Sequence, residues 1–188
     1  IMQRLRARRA IPDVPIYLNS PMAIRATEIF HEYHREHKLT DEECELIDAT
    51  TTFVRTVEES KALVGQSYPC VIISASGMAA GGRVLHHMKS LIGDHRNSMV
   101  FVGYQAPGTR GAALVGGADA IKIHGTYLPV RAEIHALDAL SAHADAGEIM
   151  DWLKACKEPP RQTFVTHGEP AAADALRLRI RDELGWRA

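Results

Sequence analysis

No apolar run in this chain approaches the roughly 18–20 residues of a membrane-spanning helix, which excludes transmembrane placement. Cysteine is scarce. Cys44, Cys70 and Cys156 are odd in number, far apart and outside any C-x-x-C pair, so they read as reduced thiols of a cytoplasmic protein. Neither sign of charge prevails: Lys plus Arg is 22, Asp plus Glu is 23, and the net charge is −1. A protein that holds nucleic acid by bulk charge alone is more basic than this, so any phosphate binding must be local. Internal repeats, low-complexity tracts, the dinucleotide fingerprint and the Walker loop are all absent.

What is present is ordinary globular usage: 188 residues, 46% apolar and 24% charged. A chain of this length buries roughly 70% of its unfolded surface, which excludes intrinsic disorder and a small cystine-rich module. The opening Ile1 to Arg9 is short and basic with no signal-peptide core. It reads as the end of a helix from something longer, so the expectation is a fragment.

Strand-like and helix-like segments alternate. Pro15 to Asn19 is a short β-prone run, and Ser20-Pro21 offers an N-cap and a first-turn proline for a helix to about His37. Thr40 with Glu43 has capping-box spacing for a helix through Ile47. A strand is expected over 51–57 and a short helix from Ser60 to Val64. Cys70 to Ser74 reads as a strand buried on both faces, followed by a glycine-rich loop and a helix bearing Val84, Leu85, Met88, Leu91 and Ile92. Ser98 to Val102 reads as another buried strand, and Thr109 caps a short helix. Strands 120–124 and 128–134 form a hairpin around Gly125-Thr126. Asp145 and Glu148 box the start of a helix over 146–156, a strand covers 162–166, and a last helix over 171–184 stops at Gly185. The class is α/β, with a Rossmann-like, mostly parallel sheet and a tail of different grammar.

In such a sheet ligands bind outside the carboxyl ends of strands. Three loops leave those ends: 19–21, 74–83 and 103–111. Each enters a helix N-terminus, which favours an anion. Gly77, Gly81 and Gly82 let backbone approach a phosphate, Ser20 and Ser76 are phosphate-binding candidates in the same loops, and Arg83 and Arg110 stand where a side chain adds charge. Tight turns explain the glycines equally well. His143 and His167 lie in successive small-residue turns near carboxylates, positions that suit zinc ligation or general acid work. Taken singly, each is better explained as a turn or core residue; two in successive loops point to a shared site. His31, His34 and His37 read as a solvated face; of His86 and His87, one packs and one is exposed.

Ile16 to Ala23, Ser76-Gly77-Met78 with Gly81-Gly82-Arg83, Val102 to Gln105, Ser141 to Asp145 and His167-Gly168-Glu169 occur in the order seen in one family. The chain resembles the β-CASP branch of the metallo-β-lactamase superfamily, the RNA-processing nucleases. The resemblance implies a β-CASP cap over 1–134 and the C-terminal part of a metallo-β-lactamase αββα domain over 135–188. It implies that His143 contacts the scissile phosphate and assists the leaving group, that His167 is a ligand of one zinc, and that Ser141 and Ala142 approach the phosphate. It further implies single-stranded RNA as partner, held by its backbone, and two zinc ions in the full-length protein.

The family's His-x-His-x-Asp-His metal motif is absent, as are the further histidine, the bridging aspartate and the acidic residue of motif A. A catalytic zinc usually takes three protein ligands. The expectation is therefore no stoichiometric zinc in this chain, little activity from it alone, and an exposed apolar patch on 135–188. The alternatives are a non-catalytic module that binds RNA or nucleotide phosphate, and a protein–protein element, including a homodimer surface.

Overall fold

β1 (Ile16–Leu18) is apolar throughout and sits centrally, with β2 (Thr51–Phe53) on one side and β3 (Val71–Ile73) on the other, all parallel. Its two neighbours are why Ile16 and Leu18 are both buried. Parallel strands require crossovers. α2 (Pro21–Glu32), a 3-10 turn at His34–Glu36 and α3 (Asp41–Thr50) carry the chain from β1 to β2. α4 (Val57–Val64) carries it from β2 to β3. A short α1 (Met2–Ala7) precedes them. The computed structural model describes residues 1–188, in two compact units, Ile1–Leu140 and Ser141–Ala188.

The caps are local and match their sequence signals. The Ser20 hydroxyl accepts from Ala23 N, and Thr40 and Glu43 form a complete capping box. α2 ends at Glu32, five residues short of the expected His37. The carbonyls of Phe30 and His31, which a continuing helix would offer to residues 34 and 35, face the rings of His37 and His34 instead. A second capping box, Thr56 with Glu59, starts α4 at Val57 and cuts the expected strand 51–57 to three residues.

Two strands read as buried on both faces are not. β3 is a sheet edge with Ile73 41% exposed. β4 (Ser98–Val102) pairs only with β7 (Glu133–Leu137), in parallel, and only Phe101 of it is buried. The parallel strands thus form two separate sheets, within the expected α/β class. The hairpin is present as β5 (Ala120–Ile123) and β6 (Thr126–Pro129), turned at His124 and Gly125. Their φ values of 45° and 84° are both positive, as a two-residue type I′ turn requires. The run expected as one strand over 128–134 splits between β6 and β7. Because β7 pairs with β4, the first unit extends past residue 134 to Leu140.

α5 (Arg83–Leu91) and α6 (Arg110–Val115) complete the first unit. Leu85, Met88 and Ile92 pack with Phe101, Leu114, Ile121 and Ile123 in its principal core. In the second unit α7 (Ala146–Lys154) starts at the Asp145–Glu148 box, and α8 (Pro170–Leu184) ends at left-handed Gly185. Met150, Leu153 and Ile180 form its core, with Val165, Leu176 and Trp186 against them. The strand expected over 162–166 is not formed: Thr163 N donates to Arg187 O, and no ladder follows. Trp152 and Phe164 are 71% and 79% exposed.

Candidate functional site

Leu18 and Ile73 are register partners, so β1 and β3 end side by side and the loops leaving them meet. They enclose a cavity of about 440 Å³ lined by Ser20, Ser74, Ser76, Gly81, Gly82 and Arg83, among others. Two helices begin at its wall. α2 is capped by Ser20, and its first residue, Pro21, has no N–H to offer. α5 has glycine at its cap, no side-chain cap bond and no acid in its first turn. Its positive end is therefore open to an anion. Gly82 has φ of 79°, which glycine adopts without a Cβ penalty.

Under the cavity lies Asn19, fully buried. Its Nδ2 donates to Ser60 Oγ at 2.7 Å and meets His87 Nε2 at 2.6 Å; its Oδ1 accepts from Arg83 at 2.8 Å. Arg83 also donates to the carbonyls of Val54 and Arg55, both at 2.9 Å. This cluster fixes the end of β1, the segment after β2 and the start of α5 together. His87 Nε2 must accept from the amide, so its proton sits on Nδ1, which is buried without a partner.

Burial, then the charges at His86 and Arg83, hold the His87 pKa below its ordinary 6.5. The folded state therefore resists protonation more than the unfolded chain does. His87 contributes stability above pH 6.5, and that contribution is lost as pH falls through the range below it. Urea midpoints taken between about pH 8 and pH 5 should fall less steeply in His87→Gln than in wild type. Parallel profiles would refute this assignment.

The glycine loop is braced from within. Ser76 Oγ accepts from Ala80 N and Gly81 N at 3.0 and 3.2 Å, and Ser76 itself has φ of 79°. Gln105 Nε2 donates to Gly77 O at 3.0 Å, and Gly111 N to Met78 O at 2.9 Å. Arg110 bridges this loop to the hairpin: Nε donates to Lys122 O at 2.7 Å and Nη1 to the carbonyls of Ala79 and Ala80. Both arginines named from sequence thus serve internal acceptors. Each retains guanidinium donors beyond these bonds, since the group has five.

In the second unit Ser141, Ala142 and His143 are exposed, and His143 N donates to Ser141 Oγ at 3.2 Å. His167, with φ of 65°, is exposed just before α8. No three His, Cys, Asp or Glu side chains stand together as a metal-binding group anywhere in the chain. A zinc centre takes three or four such ligands, so the residues present do not by themselves fit one.

The sequence reading placed Asn19, Ser74 and Gln105 in the ligand-facing loops without naming them as site residues, and it missed Ser60. The available signal was a polar residue directly after a short apolar strand, as at Asn19 and Ser74.

Residues 1–114 match the family model of the Beta-Casp domain, and residues 127–188 that of the Zn-dependent metallo-hydrolase RNA specificity domain. Ribonuclease TTHA0252 of Thermus thermophilus is 40% identical over 173 residues, 88% of this chain and 39% of its own length. Transcription termination factor FttA of Methanosarcina mazei is 33% identical over 187 residues, 93% of this chain and 29% of its own. An RNase J-like protein of Methanocaldococcus jannaschii is 32% identical over 158 residues, 84% of this chain and 36% of its own. The chain therefore spans well under half the length of these relatives.

Proposed function

The chain belongs to the β-CASP family, and on that premise we propose that it supplies the RNA-holding part of a zinc-dependent ribonuclease that processes RNA by phosphodiester hydrolysis. The observation that carries this is the cavity where β1 and β3 end, walled by serines, glycines and the uncapped start of α5. Such a wall neutralises a phosphate with backbone N–H groups and a helix dipole, and it reads no base. That agrees with the net charge of −1, because the phosphate contact is local and needs no excess of basic residues over the whole chain. The similarity to a protein named ribonuclease and the match to an RNA specificity domain point the same way.

The residues of this chain divide the work. The α5 N-terminus and the loop 76–82 hold a phosphate, and the Asn19–Arg83 cluster keeps those elements in register. His143 donates a proton to the leaving oxygen, from a turn in which Ser141 braces its backbone. His167 is offered as one zinc ligand. The other ligands such a metal needs are not assembled by this chain.

Gly81 gives a clean test. A Cβ built there meets nothing within 4 Å, and its φ is not in the left-handed range, so a side chain is tolerated. Gly81→Glu places a carboxylate at the cavity wall. It should leave the melting temperature unchanged and weaken single-stranded RNA binding about tenfold or more, measured by fluorescence anisotropy at low salt. Undiminished affinity in that variant, or no RNA binding by the wild-type chain, would defeat the proposal.

A further inference from the structure

Charge is distributed unevenly along the first unit. From Ser60 to Ala132 there are seven Lys and Arg but only two acids, Asp94 and Asp119. Asp94 is held by Arg96 at 2.6 Å, and α5, α6 and the β5–β6 hairpin contain no acid at all. A chain with a net charge of −1 thus carries a cationic stretch here.

The hairpin presents aromatic rings in that region. Ile121 and Ile123 turn into the core, so Lys122 turns outward by strand alternation. Its register partner is Tyr127, 70% exposed, with Lys122 Nζ 5.5 Å from the ring centroid. At the hairpin tip the exposed rings of His124 and His86 lie 4.8 Å apart. Arg110 joins this face to the cavity, bonding the Lys122 carbonyl on one side and the loop carbonyls of Ala79 and Ala80 on the other.

We propose that the outer face of the β5–β6 hairpin, centred on Tyr127 and Lys122 with the His86–His124 pair, is a second RNA-binding surface. It stacks a base of single-stranded RNA on Tyr127 and leads the backbone past Arg110 to the cavity. Exposed rings set among cations with no acid between them complement a strand that carries π-faces and phosphates in alternation. An acidic protein would use the cations and leave the rings idle. The proposal rests on the RNA reading above and assigns a site apart from the cavity.

The test uses the whole chain and a labelled oligouridylate of about twelve nucleotides, in the range such surfaces span. Tyr127→Ala should weaken binding roughly five- to a hundred-fold, the range seen when one stacked base is lost. Tyr127→Phe should bind like wild type. Lys122→Ala should lower the slope of log affinity against log salt by about 0.7. Wild-type affinity in Tyr127→Ala and Lys122→Ala, with Gly81→Glu still impaired, would overturn this surface and leave the cavity reading intact. No binding by the wild-type chain would remove both. Poly-L-glutamate competing as well as RNA, with the same loss in Tyr127→Ala, would assign the face to an acidic protein and overturn the proposal.

Discussion

Asn19→Ala should destabilise the first unit by about 2–4 kcal/mol, because it leaves several buried polar partners unsatisfied at once. Arg83 loses its Oδ1 acceptor, and Ser60 and His87 lose the amide between them. Asn19 is 0% exposed and His87 4%, so the groups left without a partner are desolvated ones. For a chain of this size that is a fall of roughly 5–15 °C in the melting midpoint, read by circular dichroism. A shift under about 2 °C would mean the cluster is not a structural tie.

Asn19→Asp separates hydrogen bonding from shape. A carboxylate still accepts from Arg83 but has nothing to donate to His87 Nε2, so the imidazole is stabilised protonated. The sign of the linkage then reverses. In wild type His87 loses its contribution as pH falls; in Asn19→Asp the contribution is present at low pH and lost as pH rises through the raised folded value. Urea midpoints should therefore rise relative to wild type as pH is lowered. Identical pH dependence in the two proteins would show that His87 does not sense residue 19.

The cluster also shows which parts of this molecule were legible in its sequence. Ser20, the Thr40–Glu43 box and the Asp145–Glu148 box were readable because donor and acceptor lie three residues apart and the signal is entirely local. Arg83 was visible as a charge at a helix start, but its duties were not. Two of its acceptors are main-chain carbonyls 28 and 29 residues away, and a carbonyl carries no residue identity. The faces of β3 and β4 failed for a related reason. Val71-Ile72-Ile73 has the composition of a buried strand, yet its burial depends on whether another strand lies beyond it, and here none does. The turn residues of the hairpin were legible, whereas the pairing of β7 with β4 across 35 residues was not. At the candidate site the cavity-lining serines and glycines could be named from the pattern of strand ends, while the buried polar floor beneath them could not.

Gly111→Ala should be nearly as costly, for a steric reason. A Cβ at this position would lie 1.7 Å from Gln105 Oε1, 2.9 Å from Gln105 Cδ and 3.1 Å from Met78 O. The Gln105 side chain is not free to swing aside. Its Nε2 lies within hydrogen-bond distance of the carbonyls of Gly77, Gly103 and Tyr104, all between 3.0 and 3.2 Å. Moving it leaves those carbonyls short of a donor, and Met78 O must also yield although Gly111 N bonds it. The expected loss is about 2–3 kcal/mol. Because one contact dominates, the cost should be strongly non-additive. In a Gln105→Ala background the space is vacant, and Gly111→Ala should cost at least about 1 kcal/mol less than in wild type. The same contacts hold the loop 76–82 against α6, so Gly111→Ala should also weaken RNA binding at temperatures where the chain remains folded. Additive stability losses in the double-mutant cycle would show that Gln105 does not brace the loop, and the cavity wall would then owe its shape to Ser76 and Arg110 alone.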